Sequence, residues 1–570
     1  MSIDNLPTET DAETDETLSP EAPKRLSLGR VAPVLVWIAL CVAAVWRLLR
    51  LGAPETFFFD EWSFVFGRRT RSIQALLTPH NGHLSVVPVL VYRVLFAVFG
   101  MKNYTAYRMA GLLVHVAVAS MTYRYVRQRI GEIGGLASGS ALLLLGSGWQ
   151  NILWPFQLGF MGSIAAGIGA WLLVDRDRRA ADLMASGLVL LSLSCSGLGI
   201  AILVGSGALL VSGREVGRVV RVCVTPAAIY GIWYVKYGEP QGQSSNLARI
   251  PRFILESGGF AGGGLFGRDL LWGRVIFGLC LGVGVGLLAA KARLGPSILA
   301  PSVALVSNWV LTGYSRAQFG DPGASRYVYV GAAFLILTMA EVLRHFPRRL
   351  IHIGVPILAI LSVAGNTKVL HDGANGLRET TETTRIELRA VEWARDRVAD
   401  GYVPDKQRMP QLEGRKFLLA TSELGSPAAT DEEVAQSDNL TRSAVDRISV
   451  ETLVNVVPTQ RLQEATARGA LVVTASSAIV NPGVCAEVLP AGGGPAKIEI
   501  AMNRVPGLAL RSGSAAVKVS FRRYSDGYPE SPSFTVEPAL NAIVSIASDT
   551  APSQQWRVQI VSDTAFSVCP

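Results

Sequence analysis

Charged residues are scarce in this sequence. Only 17% of its 570 residues are Asp, Glu, Lys or Arg, whereas 49% are apolar and the mean hydropathy is +0.33. A soluble protein of this size carries more charge. Nearly uncharged windows of roughly 16 to 20 residues recur from Val31 to about Gly365, and the chain after Thr367 has the composition of a soluble protein. The sequence therefore predicts a membrane region followed by a water-soluble region.

A long basic run is also missing. The 53 Lys and Arg residues outnumber the 44 Asp and Glu residues and give a net charge of +9, but they form short clusters between the apolar windows. Such clusters are typical of cytoplasmic loops under the positive-inside rule. The lipid bilayer is therefore an expected partner, and nucleic acid is not.

The N-terminal segment 1–30 has too few apolar residues to bury a core, because it is acidic and rich in Thr, Glu and Pro. It is predicted to be a disordered cytoplasmic tail. The first apolar run begins at Val31 and is followed by Trp46, Arg47 and Arg50, where a signal peptide would have small residues for cleavage. We expect this run to be a retained transmembrane anchor.

Eleven transmembrane helices are predicted between residues 31 and 366 from the apolar windows. The predicted spans are residues 31–50, 106–126, 133–148, 158–174, 181–195, 197–212, 219–236, 273–290, 295–312, 326–343 and 350–366. With a cytoplasmic N-terminus, the Arg and Lys clusters between spans fall on the cytoplasmic side, as the positive-inside rule requires. This orientation predicts a multi-pass membrane protein with a cytoplasmic N-terminus. Three segments are then outside: residues 51–105, residues 237–272 and the chain after about residue 367.

Residues 84–99 are apolar, but they contain Pro88 and Arg93 and are short for a span. Counting them as a span would also reverse the charge pattern of every later loop. We predict a helix that lies in the membrane interface, with Tyr92 and Arg93 at the level of the lipid headgroups.

Cysteine is rare, with six residues in the chain. Four lie in apolar windows, where a thiol behaves as a small apolar side chain: Cys41, Cys195, Cys223 and Cys280. Cys485 and Cys569 lie in the soluble region, and an isolated pair outside the cytoplasm is suited to a disulfide that closes a long loop. We therefore predict a bond between Cys485 and Cys569.

An acidic pair follows the first span in residues 57–62, which read FFFDEW. Aromatic residues are common at the membrane surface. Carboxylates among them lose part of their hydration, which suits a base that takes a proton from a hydroxyl. The alternative is structural, because Asp60 would cap the following helix and Glu61 would lie in its first turn. The residues alone favour neither interpretation.

The order of elements resembles the GT-C glycosyltransferases that use polyprenyl-phosphate sugars, the superfamily of the protein O-mannosyltransferases and aminoarabinose transferases. In that family the first span leads to an outer loop that opens with an acidic pair. The loop continues through a polar, proline-containing motif and an interfacial helix, and then reaches a Gly and an Arg that opens the second span. This sequence has matching features in the same order within residues 31–366: Asp60 and Glu61, residues 79–83, residues 84–99, Gly100 and Arg108.

The resemblance implies an inverting glycosyltransferase that moves a sugar from a polyprenyl-phosphate donor to an envelope glycan, lipid or protein on the outer side of a bacterial plasma membrane. Asp60 would be the general base that deprotonates the acceptor hydroxyl. Glu61 would orient the acceptor or adjust Asp60, and a solvated acid at a helix start is the alternative for Glu61.

The lipid phosphate needs cationic partners near the membrane surface, because negative charge accumulates on it in the transition state. By the resemblance, Arg326 and Tyr327 would bind this phosphate, and Arg108 and Arg316 are weaker candidates. An Arg that reaches to the lipid headgroups beside an interfacial Tyr has the same pattern.

Two polar segments are candidates for substrate binding. His80 and His83 flank Asn81 and Gly82, but two His without a third clear ligand make a weak metal signal. We expect a sugar-contacting or loop-structuring role there, with no certain cofactor and a divalent metal left open. The connection 149–157 has indoles and amides but no charge, which suits sugar binding and equally a membrane interface. Its candidates are Trp149, Gln150, Trp154 and Gln157. The family often has an acid in this connection, and this sequence has none.

The soluble region is predicted to be an α+β domain outside the membrane. Residues 367–484 are predicted to be helical and mixed, with an amphipathic helix from Gly376 to Gly401. Residues 485–570 contain strand-like segments separated by turn residues, which is typical of a β-sandwich. These segments are residues 497–502, 515–523, 533–536, 542–546 and 555–561.

A transporter or flippase of lipid-linked sugars is the main alternative function. It would favour ionisable groups deep in the bundle and broken helices at the midplane, whereas the acids and polar aromatics here lie at one surface. A noncatalytic carbohydrate-binding protein would not require eleven spans. The glycosyltransferase is therefore the leading hypothesis.

Overall fold

The computed structural model describes residues 28–51, 56–290, 294–459, 472–475, 477–480, 485–502, 507–528, 532–552 and 554–569. The predicted tail therefore lies almost wholly outside the described residues. The helices are α1 Leu28–Leu51, α2 Glu61–Gly67, α3 Ile73–Leu77, α4 Val86–Phe99, α5 Thr105–Leu143, α6 Trp149–Leu153, α7 Leu158–Val174, α8 Arg179–Cys195, α9 Leu198–Ser212, α10 Val216–Val219, α11 Thr225–Tyr237, α12 Ile250–Gly264, α13 Leu270–Ala289, α14 Leu299–Arg316, α15 Ser325–Leu343, α16 Arg348–Trp393, α17 Gly414–Leu424, α18 Asp431–Gln436 and α19 Asn439–Leu453.

The strands follow the last helix. They are β1 Val454–Thr459, β2 Val472–Ala475, β3 Ala478–Val480, β4 Ala486–Leu489, β5 Ala496–Met502, β6 Gly507–Arg511, β7 Val517–Arg522, β8 Ser533–Val536, β9 Asn541–Ile546, β10 Trp556–Ser562 and β11 Phe566–Cys569. They form two sheets, in the orders β1-β9-β6-β11-β4-β3 and β2-β5-β10-β7-β8, and every pair is antiparallel. Each of the five predicted segments coincides with a strand to within about two residues, and strand structure already begins at Val454. The sandwich itself stays a prediction.

Each of the eleven predicted spans overlaps a helix. Within the described residues, six helices are long and apolar enough to cross a membrane: Val31–Leu51, Pro155–Val174, Val216–Tyr237, Leu270–Ala289, Ser325–Leu343 and Arg348–Trp393. Helix α5 with the short helix after it would be a seventh, bent by 46°. Side chains such as Leu279 and Ile360 are more than half exposed on these helices, as lipid contact requires. The chain is therefore built as a multi-pass membrane protein, and the number eleven stays a prediction.

A break inside α5 marks the first basic loop. Gly131 has φ 89° and ψ 179°, so α5 is two helices joined at this residue, and glycine adopts such a φ without a Cβ clash. The chain then runs back on itself, because a Cβ on Gly135 would lie 2.8 Å from the carbonyl oxygen of Tyr123. The sequence predicted this hairpin as two spans with Arg127 and Arg129 between them.

Helix α16 has 46 residues and crosses the boundary that was predicted at residue 367. The predicted last span and the predicted amphipathic helix therefore belong to one continuous helix, which ends at Trp393 and not at the predicted Gly401. Its far end packs against α17, α18 and α19. The membrane region and the C-terminal region, residues 394–569, are thus joined by a rigid element, because no proline interrupts the helix after Pro356.

Helix α12 was not predicted. It lies in residues 237–272, a segment for which the sequence predicted only a position outside the membrane. Glu256 and five glycines keep the apolar content of this helix low. These glycines allow close packing on α13, since a Cβ on Gly262 would lie 2.9 Å from the carbonyl oxygen of Gly273.

The loop between α1 and α5 contains α4, the predicted interfacial helix. At 14 residues it is about 21 Å long, which is shorter than the hydrocarbon core of a bilayer. One face is buried, and the opposite face exposes Leu90, Val94 and Val98. The prediction for Tyr92 and Arg93 is corrected. Tyr92 is 1% exposed, so it has no free surface for headgroup contact, and the half-buried Arg93 donates to the carbonyl oxygens of Arg68 and Ser72 in the preceding loop.

Cys485 and Cys569 are joined by a disulfide, and their sequence separation is 84 residues. The four other cysteines are free. A crosslink over such a loop stabilises the folded chain by about 4 kcal/mol in the chain-entropy account.

We therefore expect the denatured protein to take up four alkyl groups before reduction and six after it, as measured by intact mass. The four free cysteines are the internal control. Full alkylation of protein that was never reduced would contradict the bond.

Candidate active site

The carboxylate of Asp60 is held by two amides from distant parts of the chain. Asn81 Nδ2 donates to Asp60 Oδ2 at 3.1 Å, and Gln411 Nε2 donates to Asp60 Oδ1 at 2.6 Å. Asp60 is at the N-cap of α2, but its side chain makes no capping bond. The preceding residue, Phe59, has φ 49°, a conformation that non-glycine residues seldom adopt. The backbone is therefore bent to present this half-buried carboxylate away from the helix that it begins.

A tight turn brings Asn81 to Asp60. His80 and His83 exchange backbone hydrogen bonds of 3.0 and 2.9 Å. The two central residues, Asn81 and Gly82, have φ 50° and 76°, which is why an Asn-Gly pair fits this turn. A Cβ on Gly82 would lie 2.0 Å from Cγ of Gln241, so space as well as backbone conformation requires glycine. The predicted polar motif is thus a rigid turn that aims one amide at the acid.

The two histidines form the ends of this turn and are half-buried. Burial lowers the pKa of His80 to about 4, against the opposing effect of Asp60. Burial, and then the nearby charge of Arg316, lowers the pKa of His83 to about 4. Both imidazoles are therefore neutral at about pH 7 and suited to hydrogen bonding. Among the described residues no group of three or more His, Cys, Asp or Glu gathers as metal ligands.

Glu61 faces the opposite way from Asp60 and is 0% exposed. Its carboxylate accepts hydrogen bonds from four residues: the Phe58 backbone N–H at 2.8 Å, Trp154 Nε1 at 3.0 Å, the Tyr104 hydroxyl at 2.8 Å and the Tyr92 hydroxyl. Burial raises the pKa of Glu61 to about 7, although these hydrogen bonds oppose the shift.

Glu61 is therefore neither the solvated helix-start acid nor an acid exposed to an acceptor. It joins α2, α4, the start of α5 and the connection 149–157.

Within the connection 149–157, Trp154 packs inside the protein. Its ring stacks on Phe156 with centroids 5.4 Å apart, and Phe58 contacts it edge-on at 5.1 Å. With 5% of its surface exposed, it has no free face for a sugar. Trp149 likewise packs on α16, where a Cβ on Gly373 would lie 2.4 Å from its ring. The predicted sugar platforms are thus occupied by protein contacts.

The amides of the same connection are placed differently. Gln150 Oε1 accepts from both the backbone N–H and Nη1 of Arg326, each at 3.3 Å. Gln157 is 4% exposed, and its Oε1 has no hydrogen-bond partner within the described chain. The connection therefore contacts the acidic pair through Trp154 and the predicted phosphate-binding residues through Gln150.

Arg326 lies in the first turn of α15. Its guanidinium lies 4.8 Å from the centre of the Tyr327 ring, and in the described structure it has no carboxylate partner. A half-buried cation at a helix N-terminus, where free N–H groups also favour negative charge, is suited to an anion. Arg108 is committed elsewhere, because its Nη2 donates to the carbonyl oxygens of Leu48 and Leu49 near the end of α1.

The sequence did not predict Gln411 or Tyr104 as site residues. Gln411 is 351 positions from Asp60, in a loop without a motif, and no signal in the sequence connects the two. Tyr104 precedes Arg108 in the predicted pattern, so its position at the start of a span was a usable signal.

No protein-family model matches the sequence, and no curated protein matches it. A search of solved structures found a chain described as "Crystal Structure of ArnT from Cupriavidus metallidurans bound to Undecaprenyl phosphate". The match covers 70% of this chain and 85% of that chain, at 12% sequence identity and a TM-score of 0.44. Similarity at this level does not assign an activity to this chain.

Proposed function

We propose that this chain is a GT-C membrane glycosyltransferase that moves a sugar from a polyprenyl-phosphate donor to a hydroxyl of an envelope acceptor on the outer side of the membrane. The observation that carries the proposal is the state of Asp60. Its carboxylate is half-buried, held by two neutral amides, free of any cation partner within the described residues, and not used as a helix cap. An aspartate with a purely structural role would be expected to pair with a cation or to cap a helix.

Asp60 acts as the general base. The acceptor hydroxyl gives its proton to a carboxylate oxygen while its own oxygen attacks the anomeric carbon of the donor. The bond from that carbon to the phosphate oxygen breaks, and the polyprenyl phosphate leaves with the electron pair. Attack opposite the leaving group inverts the anomeric configuration.

Arg326 binds the phosphate of the donor and of the leaving lipid. Gln150 holds the guanidinium through one nitrogen and the Tyr327 ring lies beneath it, so the other N–H groups remain for an anion. Since connection 149–157 also contacts Glu61, the base and the phosphate site are positioned by one short segment. Arg316, close to His83, supplies a second positive charge near the turn.

The transporter alternative receives less support. Among the described residues of the helical bundle, the buried Asp182 pairs with Arg218 at 2.9 Å, and the buried Glu341 pairs with Arg129 at 2.8 Å. Both pairs lie at the predicted cytoplasmic ends of helices. Within each pair the two opposite charges neutralise each other. A midplane relay of unpaired charges, which coupled transport favours, is not seen in the described bundle.

The test is direct. Purified protein should transfer labelled sugar from one member of a panel of polyprenyl-phosphate sugars to envelope extracts, and the Asp60→Asn protein should do so at a strongly reduced rate. Movement of an intact lipid-linked sugar across vesicles without cleavage of the phosphate bond would instead identify a flippase.

Arg326→Ala should weaken donor binding as well as turnover, because the phosphate is charged in both the ground state and the transition state. Loss of a charge-assisted hydrogen bond predicts a rise of about 10- to 100-fold in the KM for the donor, with little change in the KM for the acceptor. Steady-state kinetics with each substrate varied in turn measures both values.

Arg326→Lys is the matched control, since it keeps the charge but loses the planar fork, and its donor KM should lie between those of the parent and Arg326→Ala. A donor KM equal to that of the parent in Arg326→Ala would remove Arg326 from the phosphate site.

A further inference from the structure

The C-terminal region contributes a side chain to the site. Gln411 lies in the loop between α16 and α17, and its Nε2 is 2.6 Å from Asp60 Oδ1. A carboxylate only accepts hydrogen bonds, so Gln411 must turn its NH₂ toward Asp60 and its Oε1 away. This Oε1 is buried, and no group of the described chain donates to it. A buried carbonyl oxygen without a partner is unfavourable unless a ligand supplies the missing donor.

The loop is anchored firmly enough to place that side chain. Met409 and Leu412, which flank Gln411 closely, are both 0% exposed. Arg408 donates to Glu387 of α16 at 2.5 Å, and Glu387 is itself fully buried. The position of Gln411 is therefore set by apolar packing and by an ion pair to the helix that continues into the membrane region.

Nearby packing supports the same contact. Phe417 of α17 meets Trp62 of α2 edge-on with centroids 5.9 Å apart. The backbone N–H of Met101 donates to the carbonyl oxygen of Leu424 at 2.8 Å. The loop with Gln411 thus lies beside a surface where α17 already packs against α2, the helix that follows Asp60. The position of this loop near Asp60 is therefore supported by several contacts besides that of Gln411.

We propose that Gln411 is a positioning residue of this site, an inference that rests on the function proposed above. Its Nε2 holds the Asp60 carboxylate from one side while Asn81 holds it from the other, so the base keeps one orientation toward the acceptor. Its Oε1 accepts a hydrogen bond from the acceptor, beside the hydroxyl that Asp60 deprotonates. The C-terminal region is thereby part of the active site and takes part in choosing acceptors with a hydroxyl or amide donor next to the reacting hydroxyl.

Gln411→Met tests the inference because it keeps the length and apolar packing of the side chain and removes both polar groups. We expect kcat to fall by about 10- to 100-fold and the acceptor KM to rise, as for the loss of a hydrogen bond to a charged group. The donor KM should stay at the parent value, since Arg326 binds the phosphate independently. Gln411→Glu should lose more activity, because it places a second carboxylate against Asp60.

Gln407→Met is the matched control, since Gln407 is an exposed glutamine of the same loop, and it should keep the parent kinetics. Thermal unfolding of each variant separates loss of folding from loss of positioning. If Gln411→Met does not fold, Gln411→Glu, which keeps the same shape and one oxygen acceptor, gives the kinetic answer.

The double variant Asp60→Asn, Gln411→Met completes the design. If Gln411 acts through Asp60, the second change should cost much less in the Asp60→Asn background than in the parent. An equal cost in both backgrounds, or parent kinetics in folded Gln411→Met and Gln411→Glu, overturns the inference. The failures are distinguishable, because an inactive Asp60→Asn with an active Gln411→Met leaves the proposed transferase intact and removes only Gln411.

Discussion

Asp60→Asn should reduce turnover by about 10² to 10⁴, the contribution of a positioned general base. The substitution keeps the shape of the side chain and removes the proton acceptor. Folding should survive, because the new amide oxygen still accepts from Gln411, and the exposed Asn81 can rotate its own amide to offer an oxygen to the new NH₂ group. The donor KM should change little, since the phosphate is bound at α15. Initial rates of labelled sugar transfer, with donor and acceptor varied separately, measure the effect.

Asp321→Asn is the matched control, because Asp321 is an exposed acid before α15, on the same predicted side of the membrane. It should transfer sugar at the parent rate. If folded Asp60→Asn protein also transfers at the parent rate, Asp60 is not the base, and the flippase alternative gains the most. If only the donor KM rises in Asp60→Asn, the carboxylate binds donor and does not take a proton.

The sequence predicted features that depend on composition and local order. The hairpin at Gly131 followed from two apolar windows with Arg127 and Arg129 between them, and the short helix α4 followed from its apolar run, whereas its place in the membrane interface stays a prediction. The position of Asp60 followed from its place after the first span. These features need only neighbouring residues, and hydrophobic periodicity reports neighbouring residues well.

Contacts between distant polar groups could not be predicted in this way. Glu61 meets Tyr92, Tyr104 and Trp154 at separations of 31, 43 and 93 residues. Any of the three could have faced lipid, solvent or a sugar by composition alone, and Trp154 was predicted to bind substrate. Only the packing of α4, α5 and the connection 149–157 around α2 decides that their polar atoms turn to one carboxylate. The contact with Gln411 depends in the same way on how α17 packs against α2.

Glu61→Ala should destabilise the protein by about 3 to 5 kcal/mol, because it leaves several buried donors without an acceptor and opens a cavity beneath Asp60. The backbone N–H of Phe58 and Nε1 of Trp154 cannot become acceptors, so neither can pair with the other. The expected result is a lower midpoint of thermal unfolding in detergent, together with loss of transfer activity, since the bend at Phe59 that presents Asp60 loses its support.

Glu61→Gln is the matched control and should be far milder. Its Oε1 can replace the oxygen that accepts from Phe58 and Trp154, and its NH₂ can donate to the hydroxyls of Tyr92 and Tyr104, which are able to accept. Equal losses of stability in the Ala and Gln variants would mean that the charge of Glu61, and not its hydrogen-bonding shape, supports the site.

The pH dependence of stability further separates an effect of the Glu61 charge from an effect of its hydrogen-bonding shape. Burial raises the pKa of Glu61 from 4.5 to about 7, so between these values the folded protein keeps a proton that the unfolded chain releases. The stability from this group is therefore present below about pH 4.5 and is lost as the pH rises through about 7. The unfolding midpoint of the parent, relative to that of Glu61→Gln, should fall between about pH 5 and about pH 8. A difference between the two proteins that does not change with pH would show that Glu61 stays ionised in the folded protein throughout this range, and the hydrogen bonds from Tyr92, Tyr104 and Trp154 would then outweigh its burial.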